Sequence, residues 1–132
     1  MKWHALLRYT EVRFFHAGEM VVKQGDQDRT IFIVAEGELE VLIPQGRHGK
    51  LQTLVRVATG TVTGEQAFLD GLPRSANLRA ISDGKLITLS LTAFEIFSAE
   101  HPHLARELLL DLARVLSAKL RHANQFIASH IK

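Results

Sequence analysis

The hydrophobic period of this chain changes once, close to residue 91, and that change limits the folds open to it. Before it, apolar residues alternate in short runs broken by glycine. After it, they recur every three or four residues. Alternation belongs to strands with one buried face, and a period of about 3.6 to a helix with one apolar stripe. Residues 20 to 91 therefore read as strands. "TIFIVAEGELEVLI" splits at Glu36-Gly37 into two runs, the second placing Leu39, Val41 and Ile43 on one face. "LQTLVRVA" sets Leu51, Thr53, Val55 and Val57 against Gln52, Leu54, Arg56 and Ala58. "NLRAI" and "KLITLSL" repeat the alternation around "SDG", and the polar loop "PQGRHGK" separates two of the runs. Turn glycines are expected at Gly18, Gly25, Gly37, Gly60 and Gly84. Many short strands with regular turns predict an all-β sandwich or roll.

Beyond residue 91, Thr92 and Glu95 have the spacing of a capping box and predict a helix start. His101-Pro102 predicts a break and a new helix, because proline suits the first helical position. Leu104, Leu108, Leu109, Leu112, Val115, Leu116, Leu120 and Ile127 then form one stripe. Continued to about Ser129, this helix would be ~40 Å long. The fold class is mainly β with C-terminal helices: a double-stranded β-roll (jelly roll) followed by a long amphipathic helix.

The 132 residues fit a single domain, 1–132, long enough to bury a core. A formal charge of +2 is too small to mark a nucleic-acid or anionic-membrane surface. The absence of cysteine excludes disulfides and thiolate zinc sites. No apolar run approaches the ~20 residues that span a bilayer. The basic start "MKWHALLRYTEVRFF" lacks the uninterrupted apolar stretch of a secretion signal. A cytoplasmic location is expected, either free or as the cytosolic domain of a membrane protein.

One segment breaks the strand rhythm. "TGEQAFLDGLPRSANLRA", residues 63 to 80, places Glu65 and Arg74 among small and apolar neighbours. Gly64 allows a close backbone approach before a short apolar segment, "QAFLD", with room for one helical turn whose free amides favour an anion. Pro73 fixes the chain before Arg74, whose planar fork of donors suits phosphate oxygens. Glu65 only accepts hydrogen bonds, which suits a sugar hydroxyl. Together they have the chemistry to hold a sugar phosphate.

These residues resemble the phosphate-binding cassette of cyclic-nucleotide-binding domains, spanning 63–76. Gly64, Glu65, Pro73, Arg74, Ser75 and Ala76 match the family pattern of Gly-Glu, a few apolar residues, then Pro-Arg, a small residue and Ala. Thr63 and Gln66 depart from it, standing where apolar residues are usual. The resemblance extends over nearly the whole chain, with the roll at about 18–91 and closing helices at about 92–128. "FFHAGEMVVKQGDQDRTIFIVAEGELEV" is similar to the family's opening strands, with Gly18, Gly25, Asp26 and Gly37 at its turns.

The resemblance implies a non-catalytic regulatory domain whose ligand is cAMP or, second, cGMP. It implies a ligand-binding set of Gly64, Glu65, Gln66, Arg74, Ser75 and Ala76. Glu65 would take the ribose 2′-hydroxyl and Arg74 the cyclic phosphate. Ser75 and the amides of Ser75 and Ala76 would assist. Some family members read guanine with a threonine after the arginine; here Ser75 keeps only the hydroxyl. Arg74→Ala is expected to weaken binding while barely affecting folding. The final helix is expected to move over the nucleotide, with Arg114, Lys119, Arg121, Asn124 and Gln125 able to reach a base edge.

The chain closes on "FIASHIK" without a helix-turn-helix, so direct nucleic-acid binding is not expected. The expected partners are a cyclic nucleotide and a host domain or partner protein in a larger transporter, channel or signalling protein. A homodimer through the C-terminal helix is a further possibility. Three other readings compete. Glu65 and Arg74 could form a surface ion pair worth ~0–1 kcal/mol. The roll could be a degenerate interaction module that no longer binds nucleotide. A metal enzyme is the weakest reading, because His101 and His103 lie at a helix start and only His48 falls among the strands. No metal, cofactor or catalytic residue is expected.

Overall fold

The computed structural model describes residues 3–45 and 49–130. Gly46, Arg47 and His48 of the polar loop lie outside the described residues. A short helix, α1 (Trp3–Leu7), precedes the strands β1 (Glu11–Phe15), β2 (Met20–Val22), β3 (Thr30–Glu36), β4 (Leu39–Gln45), β5 (Lys50–Val57) and β6 (Val62–Thr63). Helix α2 (Glu65–Asp70) follows, then β7 (Asn77–Ala80), β8 (Gly84–Ser90), α3 (Leu91–Glu100) and α4 (Pro102–His130). The strands form two four-stranded antiparallel sheets, in the orders β1-β8-β3-β6 and β2-β7-β4-β5. This is the β-roll followed by a long helix that the change of period predicts. Its first strand begins at Glu11, ahead of the expected roll boundary near residue 18.

Two separate cores hold these layers. Phe15, Val22, Phe32, Val34, Leu39, Leu78 and Leu86 are among the buried residues packed between the sheets. Leu6, Ile31, Phe68, Leu89, Phe94, Phe97, Ala105, Leu108 and Leu112 form a second cluster, outside the roll and under the helices. The alternation within β3 sends Phe32 and Val34 to the first core and Ile31 to the second. In β8, Leu86 and Leu89 divide in the same way.

Several local expectations are corrected. In β4, pairing with β5 shifts register between Val41 and Leu42. The skipped residue is Leu54 of β5. In β4, Leu39 is buried with Val41 packed beside it as the alternation predicts, but Leu42 on the opposite parity is buried as well and Ile43 is only half-buried. The alternation in β5 does not mark a buried face, because Val57 alone is buried and Leu54 and Val55 are exposed. β5 is an edge strand, with a partner on one side only. The cap of α3 is Ser90, whose hydroxyl accepts from the Ala93 amide at 3.1 Å, and not Thr92. Starting α3 at Leu91 places Thr92 inside the first turn, so the expected capping box with Glu95 does not form.

The break at His101-Pro102 is present, with His101 ending α3 and Pro102 opening α4. Tyr9 packs edge-on against Phe97 and donates its hydroxyl to Glu100, tying the N-terminal segment to this junction. Helix α4 has 29 residues, about 43 Å at ~1.5 Å each. Its stripe is less covered than its leucines suggest. Ala105, Leu108 and Leu112 are buried, whereas Leu109, Leu110, Leu120 and Ile127 are exposed. In the middle of the second sheet, Arg79 grips Glu40 with Nε at 2.9 Å and Nη2 at 2.6 Å across β7 and β4. That guanidinium holds the Glu40 carboxyl below its ordinary range.

Gly84 opens β8 rather than a turn, and its φ is not positive. It is needed for space. A Cβ there would stand 2.1 Å from the Glu36 carbonyl oxygen and 2.6 Å from Phe15 Cζ. Gly84→Ala must therefore push apart β3, β8 and a core phenylalanine, and it is expected to cost ~1–3 kcal/mol. A urea unfolding curve with an unchanged midpoint would show that the strands accommodate the methyl freely.

Candidate functional site

The cassette segment occupies the β6–β7 connection. Gly64 precedes α2 with φ +81°, and Gly71 follows it with φ +71°, its amide bonding the Ala67 carbonyl at 2.9 Å. Gly64 is also tightly enclosed. A Cβ would lie 2.9 Å from Arg74 Nη1 and 3.0 Å from both Phe32 Cδ2 and the Thr30 carbonyl oxygen. Any side chain here would be strained and would displace the arginine. The opposite end of α2 is capped by Arg29, whose Nε and Nη2 donate to the Phe68 carbonyl at 3.2 and 2.8 Å. Phe68 itself enters the helical core edge-on to Phe94.

Arg74 is 5% exposed. Its Nη1 donates to the Gly64 carbonyl at 2.9 Å, and Nη2 to the Thr30 carbonyl at 2.7 Å and Asp28 Oδ2 at 3.1 Å. Its guanidinium carbon stands 5.2 Å from the centre of the Phe32 ring. The backbone is fixed as well: the Arg74 amide donates to the Asp26 carbonyl at 2.9 Å, and the Gly25 amide to the Arg74 carbonyl at 2.8 Å. One donor remains. Arg74 Nε is a buried side-chain polar atom with no hydrogen-bond partner.

Glu65 is 3% exposed and does not pair with Arg74. Its Oε1 meets Lys119 Nζ of α4 at 2.7 Å, and the same ammonium donates to the Val62 carbonyl at 3.2 Å. The surface ion pair between Glu65 and Arg74 is thus replaced by two other pairs, each with one buried and one half-exposed member. Ser75 is exposed and donates its hydroxyl to Gln66 Oε1 at 3.1 Å, and Ala76 is half-buried. The fold therefore gathers Gly64, Glu65, Gln66, Arg74, Ser75 and Ala76 onto one connection.

Asp28, Arg29, Phe32 and Lys119 are additions that sequence reasoning did not assign to the cassette. Asp28 and Arg29 lie in "GDQDR", where only Gly25 and Asp26 stood out as turn residues. Lys119 was expected at a base edge and instead sits on Glu65. A cleft of about 390 Å³ borders Asp28, Thr30 and Phe32 from the other side, with Glu11, Arg13 and Thr88 on its walls. None of Glu65, Ser75 or Ala76 lines it, so it is separate from the cassette face. Among the described residues, no three His, Cys, Asp or Glu side chains gather as a metal site. No described helix is long and apolar enough to cross a membrane.

The cyclic nucleotide-binding domain model matches residues 12–101. The chain belongs to the cyclic nucleotide-binding domain family. The crystal structure of a cyclic nucleotide-binding domain from Methylobacillus flagellatus superposes with a TM-score of 0.88 at 26% identity, covering 96% of this chain and 71% of that one. The cGMP-dependent protein kinase egl-4 of Caenorhabditis elegans is 37% identical over 62% of this chain and 10% of its own length. A putative potassium channel protein of Rhodopseudomonas palustris is 27% identical over 78% of this chain and 24% of its own. The chain also spans 6% of a Coccidioides immitis lysophospholipase, so it matches a small part of each of these three curated relatives.

The burial of Arg74 corrects one expectation directly. Its removal would leave the Gly64 and Thr30 carbonyls and the Asp28 carboxylate without their donor. Arg74→Ala is therefore expected to lower folding stability by ~1–3 kcal/mol. Asp28 is half-exposed, so Asp28→Asn should cost less, about 1 kcal/mol or below. Thermal unfolding of the two variants checks the order. A melting temperature for Arg74→Ala equal to that of the unaltered chain would mean the buried network contributes nothing to the fold.

Proposed function

We propose that the domain is a non-catalytic cyclic-nucleotide sensor with cAMP as its preferred ligand. It would regulate a host domain or partner protein from the cytoplasmic side. Membership of the family supports the ligand class. The observation that carries the site assignment is Arg74 Nε, a buried donor without a partner at the position the family pattern gives to the phosphate. A phosphate oxygen would satisfy it with a charge-assisted bond. Glu65, buried one short helix away, would accept from the ribose 2′-hydroxyl. Gln66, Ser75 and Ala76 complete the proposed contact set.

The base preference is proposed to be weak. Ser75 turns its hydroxyl onto Gln66 and carries no methyl group to fix it towards a guanine amino group. The 37% identical kinase, named as cGMP-dependent, favours cGMP as a second ligand. A different observation favours the degenerate roll: most polar atoms of Arg74 and one oxygen of Glu65 already have internal partners. Isothermal titration separates these readings. Saturable one-to-one binding of cAMP is expected, within tenfold of cGMP, or about 1.4 kcal/mol. Glu65→Gln should cost less than loss of Arg74, because an amide oxygen still accepts. No heat with either nucleotide would leave the roll as an interaction module.

The helix also supports self-association. Leu109, Ala113, Leu116, Leu120, Ala123 and Ile127 follow alternating four- and three-residue steps, the spacing of a two-helix seam. Leu109, Leu120 and Ile127 are exposed on it. Two copies pairing along α4 would cover them. Sedimentation is expected to give a dimer that Leu120→Glu converts to a monomer with the roll still folded. A monomer in both cases would remove this proposal.

A further inference from the structure

Helix α4 touches the cassette beyond its last fully buried residue. Leu112 is the last described residue of α4 that is buried. Lys119 lies seven residues on, from 112 to 119, about 10 Å further along the axis. Its stem is half-exposed, yet its ammonium reaches Glu65 Oε1 at 2.7 Å and the Val62 carbonyl at 3.2 Å. Both acceptors belong to the two ends of the β6–α2 step. The carboxylate is almost fully buried, so the pair is less screened than a surface one, and removing the Lys119 charge leaves that carboxylate poorly compensated.

Glu65 is also the group that the proposed function assigns to the ribose, and this inference rests on that reading. We propose that Lys119 and the ribose 2′-hydroxyl compete for Glu65, so that Lys119 is a latch between α4 and the cassette which the sugar releases. An ammonium at 2.7 Å holds Oε1, so an incoming hydroxyl meets a carboxylate whose charge is already largely satisfied. A neutral hydroxyl is a weaker partner for a buried carboxylate than an ammonium. The exchange therefore proceeds only when the phosphate and base contribute binding energy of their own. The latch lowers apparent affinity by the fraction of molecules in which it is open. In return it makes the position of α4 depend on the 2′-hydroxyl rather than on occupancy of the site alone. A nucleotide lacking that hydroxyl has nothing to offer Glu65, and α4 stays tied.

The test uses the full chain with Lys119→Met, which keeps the length of the apolar stem, Glu65→Gln, and the double variant. Without nucleotide, amide exchange over residues 113–129 should quicken in each single variant, and the double variant should add nothing. In titrations, Lys119→Met should tighten cAMP by about fivefold or more. It should leave 2′-deoxy-cAMP unchanged. Weaker or unchanged cAMP binding by Lys119→Met would overturn the competition, since Lys119 would then be holding Glu65 in place for the sugar or standing aside from it. Equal tightening of both nucleotides would also overturn it, because the 2′-hydroxyl would not be the competitor. If the unaltered chain binds neither nucleotide, the proposed function fails and the competition with it. That case is recognisable because the exchange rates still report the tie between Lys119 and Glu65.

Discussion

The cassette depends on one buried guanidinium. Arg74 brings a permanent charge to a site that is 5% exposed, and such a charge persists only when its donors are met from several directions. Three elements provide them: the Asp28 carboxylate from the loop before β3, the Thr30 carbonyl at the start of β3, and the Gly64 carbonyl ahead of α2. Only a planar fork can reach all three at once, and a lysine ammonium in this place could not. Gly64 is glycine partly because Arg74 is there, since a Cβ would stand only 2.9 Å from Nη1. The two motif residues are therefore one mechanical unit. The residue proposed to meet the phosphate is the same residue that shapes the site around it.

That unit is joined to the helices chiefly through Phe68, with Val62 and Leu69 packed beside it. Phe68 projects from α2 into the cluster formed by Phe94 and Phe97 of α3 and by Ala105, Leu108 and Leu112 of α4. A displacement of α2 would be felt by packed aromatic rings, whose close fit resists small shifts. At the far side of the cluster, Tyr9, Phe97 and His101 surround the junction between α3 and α4. The cassette thus has an apolar route to the helix junction through Phe68 and a polar route to α4 through Lys119. The first ends near the start of α4 and the second near its exposed part.

Much of this was legible in the sequence, and what was missed has physical causes. Gly64 with Glu65, and Pro73 with Arg74, carry enough constraint in a short segment to be read locally. So do the change of period at residue 91 and the break at Pro102. The partners were not readable. Asp28 lies 46 residues from Arg74, and Lys119 is an ordinary polar residue on an amphipathic helix until α4 is laid against the cassette. Local patterns also misled where tertiary context overrode them. Leu42 is buried on the parity opposite to Leu39 and Val41, and the edge position of β5 left its alternating apolar residues uncovered. The capping-box spacing pointed to Thr92, but β8 ends at Ser90 and the helix starts directly after it, so Ser90 is the cap.

The two cores have separate consequences. Every residue of the inner one comes from strands, so its burial does not require α3 or α4. The outer one is shared by α1, α2, α3, α4 and the outward residues Ile31 and Leu89. A change in how the helices sit therefore draws on the outer cluster alone, while the roll and the clamp on Arg74 can remain intact. Strands that bury both faces make this possible, since β3 and β8 give alternate residues to each core. The same arrangement limits how far the helices can move. Ile31 precedes Phe32, which lies under Arg74, and follows Thr30, whose carbonyl Arg74 holds. A helix shift that disturbed Ile31 would reach the clamp directly, whereas the part of α4 beyond Leu112, where Lys119 meets Glu65, gives no residue to that cluster.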